Sequence, residues 1–197
     1  MYPNRMKTLG NCMIALGGIL IVLALSLVVY NFWEDLQAKQ SSEDIICKLP
    51  IINNEVDIPL YETNPEMEMP AVEINGNLYI GRIEFPTLNI SLPVMKEWSY
   101  PRLKIAPCRY SGSAYKDNMV IIAHNYKSHF GNLKTLMSEE PVIFTDVDGN
   151  VFRYKVAEID ELQPTDIDKV TVENRDLTLM TCTIDSKCRV TVRCIKE

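Results

Sequence analysis

DLTLMTCTIDSKCRVTVRC (176–194) reads as two strand-like runs around a short turn, and its register decides what the chain can be. With the turn centred on Asp185-Ser186, Ile184 faces Lys187 and Cys182 lies opposite Arg189. Directly opposed residues share a face, with Cβ atoms about 4.5–5.5 Å apart. Period two places Thr178 and Met180 on the same face as Cys182, and Thr191 and Arg193 on that of Arg189. Arg193 then faces Thr178, out of the thiol's reach. A symmetric four-residue loop gives the same register; a one-residue bulge would break it.

Working outward, the chain before this hairpin also reads mostly as strands. LYIGRIEF (78–85), LNISLPV (88–94), IAPCRY (105–110) and MVIIA (119–123) are β-rich, and the last is apolar throughout, as a strand buried on both faces is. PVIFTDV and NVFRYKVAEI flank Asp148-Gly149, a strong hairpin signal. Phe130, Leu133, Leu136 and Met137 lie at a spacing that predicts a short helix. ELQPTDIDKVTVENRD is a connecting loop. About eight strands with one or two short helices predict an all-β, closed or half-closed barrel.

Nearer the N-terminus, no charged residue occurs from Thr8 to Trp33, long enough for a membrane-spanning helix. Arg5 and Lys7 precede the run and Glu34 and Asp35 follow it, so the N-terminus is expected inside and the rest outside. A signal peptide would have an apolar core of only about 7–15 residues and a small-residue cleavage site; an uncleaved anchor fits better. Residues 1–36 are read as cytoplasmic tip and anchor. The proline-bearing, acidic residues 37–75 are read as an extracellular linker with a short helical start, and 76–197 as the folded domain.

The net charge is −6, and no basic run is present to meet nucleic acid. Six cysteines stand at 12, 47, 108, 182, 188 and 194, without a CxxC pair, and two histidines are too few for common zinc patterns. Cys188 and Cys194 lie about 20 Å apart along one strand, beyond disulfide reach. Cys108, Cys188 and Cys194 read as small buried hydrophobes.

A thiolate is the nucleophile, and at an ordinary pKa near about 8.5 little of it is ionised at neutral pH. A neighbouring guanidinium favours ionisation and offers fixed donors for an oxyanion. Acyl transfer also needs an acid for the leaving amine. His124 ends the run MVIIA, where a rigid strand can present a functional side chain. His129 reads as a solvent-exposed loop residue. On the residues alone, a small buried thiol, a hydrogen-bonded histidine at a strand end and a surface cation compete evenly with a Cys–His–Arg site.

TLMTC (178–182), with Arg189 seven residues after its cysteine, resembles the sortase family of Gram-positive bacteria, whose pattern is T-L-x-T-C followed by an arginine opening the last strand. Asn118 to His124 resembles the family's N-x-x-x-x-G-H context, with Ala123 in place of the glycine, and GRIEFPTLNISLPV (81–94) resembles its early strands. The resemblance covers Leu78 to the C-terminus. It implies an eight-stranded barrel, Cys182 as nucleophile, His124 as general acid and base, Arg189 on the substrate carbonyl and oxyanion, and Thr181 shaping the substrate site. It further implies cleavage of a C-terminal LPxTG-like sorting signal on surface proteins and transfer to an amine of a peptidoglycan precursor, at the plasma membrane and without nucleic acid or cofactor. The absence of an Asp-Pro-aromatic lid motif, and the end of the chain at Glu197, point to a type with a single N-terminal anchor. Asp160, Glu161, Asp166 and Asp168 are the residues a calcium site would draw on.

Two rivals remain at this point: a membrane-tethered β-domain that binds a surface partner without catalysis, and another thiol enzyme. Among the latter, an L,D-transpeptidase-like enzyme would carry histidine and glycine just before its cysteine, where Met180-Thr181 stand. A thiol hydrolase would resolve the acyl group with water.

Overall fold

The computed structural model describes residues 3–50, 58–163, 165–166, 175–183 and 187–197, with side chains from residue 9 onward. Two compact units divide the chain, Met1–Leu36 and Gln37–Glu197. Helix α1 runs Pro3–Lys48. In the first unit its apolar side chains, among them Ile14, Leu20 and Val29, are exposed. Among the described residues it is the one helix long and apolar enough to cross a membrane.

Past Trp33 the composition turns polar, yet the helix continues, with Asp44 pairing Lys48 at 2.6 Å across one turn. Its segment in the second unit is amphipathic. Ala38, Ser42 and Ile45, followed by Leu49, recur at helical spacing and are buried. The region read as a linker thus holds helix, a buried Met69 and a short first strand. Tyr61 adds to this order by stacking on Tyr115 at 4.7 Å.

Among the described residues there are nine strands: β1 (Val72–Ile74), β2 (Asn77–Phe85), β3 (Ile90–Met95), β4 (Cys108–Ser111), β5 (Met119–Ile122), β6 (Pro141–Asp146), β7 (Val151–Leu162), β8 (Leu177–Cys182) and β9 (Arg189–Lys196). Their order is β1-β2-β3-β4-β5-β8-β9-β7-β6, and β6 pairs back to β2. Eight strands therefore close into a barrel and β1 adds outside, so the all-β, eight-stranded expectation holds. Alternate residues fill the interior: Ile83, Val94, Ile121, Phe144, Leu179 and Val192 are fully buried there. A second apolar cluster covers part of the outer wall. It joins Val120, Ile122 and Met180 to Ile45 and Leu49 of the N-terminal segment. This is why Met119–Ile122 is buried on both faces.

Closure between β2 and β6 needs close approach at Gly81, where φ is +156°. A Cβ there would sit 2.1 Å from the Thr145 carbonyl oxygen. Gly81→Ala is therefore expected to destabilise the fold by roughly 2–4 kcal/mol, because backbone rather than a mobile side chain must yield. Thermal unfolding of the variant measures it.

The β6–β7 hairpin forms as Asp148-Gly149 predicts, with Gly149 at φ +86°. Asp146 accepts from the Asn150 amide at 2.9 Å and from the Tyr115 hydroxyl at 2.7 Å, which fixes the turn.

The helix expected over 130–137 is a correction: only a 3-10 turn forms, at Leu133–Thr135. Phe130, Leu133 and Leu136 are buried and Met137 is exposed. A buried face recurring every third residue suits the three-residue turn of a 3-10 helix. The expected turn at Asp185-Ser186 and the calcium candidate Asp168 lie outside the described residues.

Candidate active site

The sheet register brings the chain positions of His124, Cys182 and Arg189 to neighbouring strand ends at one end of the barrel. Strands β8 and β9 pair antiparallel with Cys182 opposite Arg189 and Thr178 opposite Arg193, the register expected from sequence. One further pair, Thr183 and Cys188, extends the ladder: the Thr183 amide donates to the Cys188 carbonyl at 3.0 Å. The Thr183 hydroxyl accepts from the Cys188 amide, also at 3.0 Å. No bulge intervenes, so Cys182 and Arg189 share the outer face.

Strand β5 lies on the other side of β8 and runs parallel to it, with Ile122 beside Met180. The Ala123 amide donates to the Met180 carbonyl at 3.1 Å, carrying the pairing one residue further. His124 and Cys182 each stand two residues past an in-register pair. Extending the register past Ile122, where β5 ends, puts both positions at adjacent strand ends, with strands about 4.8 Å apart.

Thr181 points to the opposite face. It is buried, and its hydroxyl donates to the Ala123 carbonyl at 2.9 Å, tying the strand that carries the thiol to the residue before His124. Thr181→Val should lower stability by about 1 kcal/mol through the lost hydrogen bond; chemical unfolding measures it. After His124 the chain folds back over itself. The Gly131 amide donates to the Tyr126 carbonyl at 2.8 Å. A Cβ at Gly131 would meet the Asn125 and Tyr126 carbonyl oxygens at 2.5 and 2.7 Å. Asn125 Nδ2 donates to the Thr183 carbonyl at 3.3 Å, joining this loop to the end of β8.

A cavity of about 330 Å³ opens beside the cysteine, lined by Phe130, Lys134, Glu161, Thr181, Cys182 and Cys188 among others. Lys134 and Glu161 supply both signs of charge along it.

The cysteines divide by burial. Cys108 and Cys194 are fully buried, and burial pushes each thiol up to about 12. Neither ionises near neutral pH. Cys182 and Cys188 are partly exposed, and all six are free thiols. Reading Cys188 as a buried hydrophobe is therefore corrected. It sits at the cavity, where Gln163 Nε2 approaches its sulfur at 3.7 Å. Brief alkylation of the native protein should label Cys182 and Cys188 within the barrel and leave Cys108 and Cys194 unmodified, as peptide mass mapping would record.

Arg193, the second arginine of β9, is buried and held by Glu158 at 3.3 Å and by Asp160. Asp160, one of the four calcium candidates, is thereby engaged with a guanidinium. Among the described residues no three His, Cys, Asp or Glu side chains gather as a metal site. His129 is a correction: expected in solvent, it is 1 % exposed. Its Nε2 lies 3.1 Å from the Ser42 hydroxyl of α1. Sequence reading missed Ser42 and Tyr126, whose partners are distant in the chain or rings met only after the loop folds back.

The family profile described as a sortase domain matches residues 83–196. Among solved structures, sortase C from Clostridium perfringens is 25% identical with a TM-score of 0.53, covering 60% of this chain and 70% of its own. Sortase A from Corynebacterium diphtheriae is 20% identical with a TM-score of 0.56, covering 85% of this chain and 84% of its own. The sortase C2 of a group B Streptococcus pilus island is 20% identical with a TM-score of 0.55. It covers 68% of this chain and 84% of its own. No curated protein sequence gives a match.

Proposed function

The chain belongs to the sortase family and is a sortase-type cysteine transpeptidase, and on that premise we propose that Cys182, His124 and Arg189 carry its reaction on a C-terminal sorting signal of the LPxTG kind. The observation that supports the reading is the unbulged register that opposes Cys182 with Arg189 on the neighbouring strand; the Arg189 guanidinium donates from Nη1 to the adjacent Cys188 carbonyl at 3.2 Å.

The Cys182 thiolate attacks the carbonyl carbon of the scissile amide. Charge gathers on the carbonyl oxygen, and the Arg189 fork donates to it. His124 gives a proton to the leaving amine as the C–N bond breaks, which leaves a thioester on Cys182. An amine of a peptidoglycan precursor then loses its proton to His124 and attacks the thioester. The new amide forms as the thiolate departs. The sorting-signal peptide lies along the cavity beside Cys182, and Thr181 holds the two strand ends that frame it. The apolar helix anchors the enzyme in the plasma membrane. Arg5 and Lys7 stay inside and the barrel faces the wall.

Arg189→Ala is expected to lower kcat about 10²–10³-fold by removing the oxyanion donor. Arg189→Lys should recover only part, since an ammonium lacks the fixed fork; steady-state peptide cleavage checks both. The reading itself is tested by offering the full chain in detergent a panel of LPxTG-like peptides with and without a nucleophilic amine. Peptide–amine conjugates are expected. Hydrolysed peptide alone, unchanged by amine, would favour a thiol hydrolase. Cleavage of no peptide by folded protein would contradict the substrate class.

A further inference from the structure

Two buried polar side chains that this reaction leaves idle meet across the second unit. Ser42 of α1 is 2 % exposed and His129 1 %. The Ser42 hydroxyl donates to the Ile105 carbonyl at 3.1 Å, and its oxygen lies 3.1 Å from His129 Nε2. A serine hydroxyl has one proton, and here the carbonyl takes it. His129 Nε2 must then carry a hydrogen and donate to Ser42. This pins the ring's orientation to the helix.

From His129 a short path of rings leads to the site. The Tyr126 ring lies 5.6 Å from that of His129, and the His124 ring lies 5.0 Å from Tyr126, both tilted. Backbone bonds hold the spacing. The His129 amide donates to the Tyr126 carbonyl at 3.0 Å and the Phe130 amide to the His124 carbonyl at 3.3 Å. Ile45 and, just past the helix, Leu49, packed in the outer-wall cluster with Ile122 and Met180, fix the same segment to the strand that precedes His124 and to the one that ends in Cys182.

We infer that His129, anchored by Ser42, is a positioning residue that sets the His124 imidazole through Tyr126, so that the helical segment Gln37–Lys48 is a working part of the active site rather than a tether. The inference rests on His124 being the general acid. A general acid must hold its proton within hydrogen-bond reach of the leaving nitrogen. Misplacement by about 1 Å can lower the rate roughly 100-fold. Locking such a group through buried neighbours of fixed rotamer is how a rigid site keeps that precision.

Leaving-group chemistry separates positioning from plain structural support. An amide needs the His124 proton as its C–N bond breaks. A thioester analogue expels a thiolate and needs none. With the full chain in detergent micelles, Ser42→Ala and His129→Ala are expected to cut cleavage of an LPxTG-type amide about 10–100-fold. Acylation by the matching thioester should stay within about threefold of wild type, and KM should be little changed. Equal loss on both substrates, or no loss on the amide, would overturn the inference. His124→Ala is the control for the underlying reading: if it leaves amide cleavage intact, the general-acid assignment fails, whatever the Ser42 variant does.

A substrate-independent measurement guards against misfolding or a poor peptide. The chain has two histidines, so the imidazole NMR spectrum holds two ring systems. Ser42→Ala, a single-atom deletion, should displace the His124 ring resonances as well as those of His129. Unmoved His124 resonances would overturn the inference.

Discussion

Cys182→Ala abolishes transfer, with an expected loss on the order of 10⁴–10⁶-fold in kcat and no acyl-enzyme formed. A nucleophile that acts as one unit with its acid cannot be partly replaced, so its removal leaves only the contribution of binding and oxyanion donors. No other described thiol of the barrel can substitute. Cys108 and Cys194 are buried with thiols raised to about 12. Cys188 is opposed by Thr183, on the alternate face of the hairpin, and does not meet Arg189 across the ladder. The variant should keep its fold, because the thiol lies at a strand end and is not part of the core. Unchanged melting alongside absent turnover checks both halves of the prediction.

His124→Ala is expected to lower amide cleavage about 10²–10⁴-fold, the range that a positioned acid supplies. The loss should fall on acylation, where the leaving amine needs a proton. It should shrink when the leaving group is a thiolate. Single-turnover kinetics on the two substrates measure the difference. Equal losses would move His124 from proton transfer to substrate binding.

Much of this was legible in local sequence. Alternation on both arms of 176–194, about a turn of even length, is enough to set the pairing of Cys182 with Arg189. Asp148-Gly149 fixed the β6–β7 hairpin because its backbone demand is local. The apolar run 119–123 announced a strand buried on both faces, but not what buried the outer one. That cover includes Ile45 and Leu49, from the end of a polar helix with only a narrow buried stripe and the residue just past it. Such a stripe carries little signal, and the segment therefore read as a tether.

His129 was hidden for the same reason. Its neighbours Lys127 and Ser128 are polar, and the hydroxyl its ring meets, that of Ser42, is 87 residues away. The failed helix at 130–137 is different in kind. Phe130, Leu133 and Leu136 satisfy both helical and 3-10 periods over so short a run. Close packing at Gly131 against the Asn125 and Tyr126 carbonyls accompanies the tighter turn.

The central claim is that the sulfur of Cys182 takes up the acyl group. Intact-mass analysis of the full chain, quenched during turnover of an LPxTG-type peptide without amine, followed by peptide mapping, reads this directly. The account predicts one acyl adduct, located on Cys182, labile to hydroxylamine and absent from Cys182→Ala. An adduct on Cys188, or peptide turnover that persists in Cys182→Ala, would contradict it.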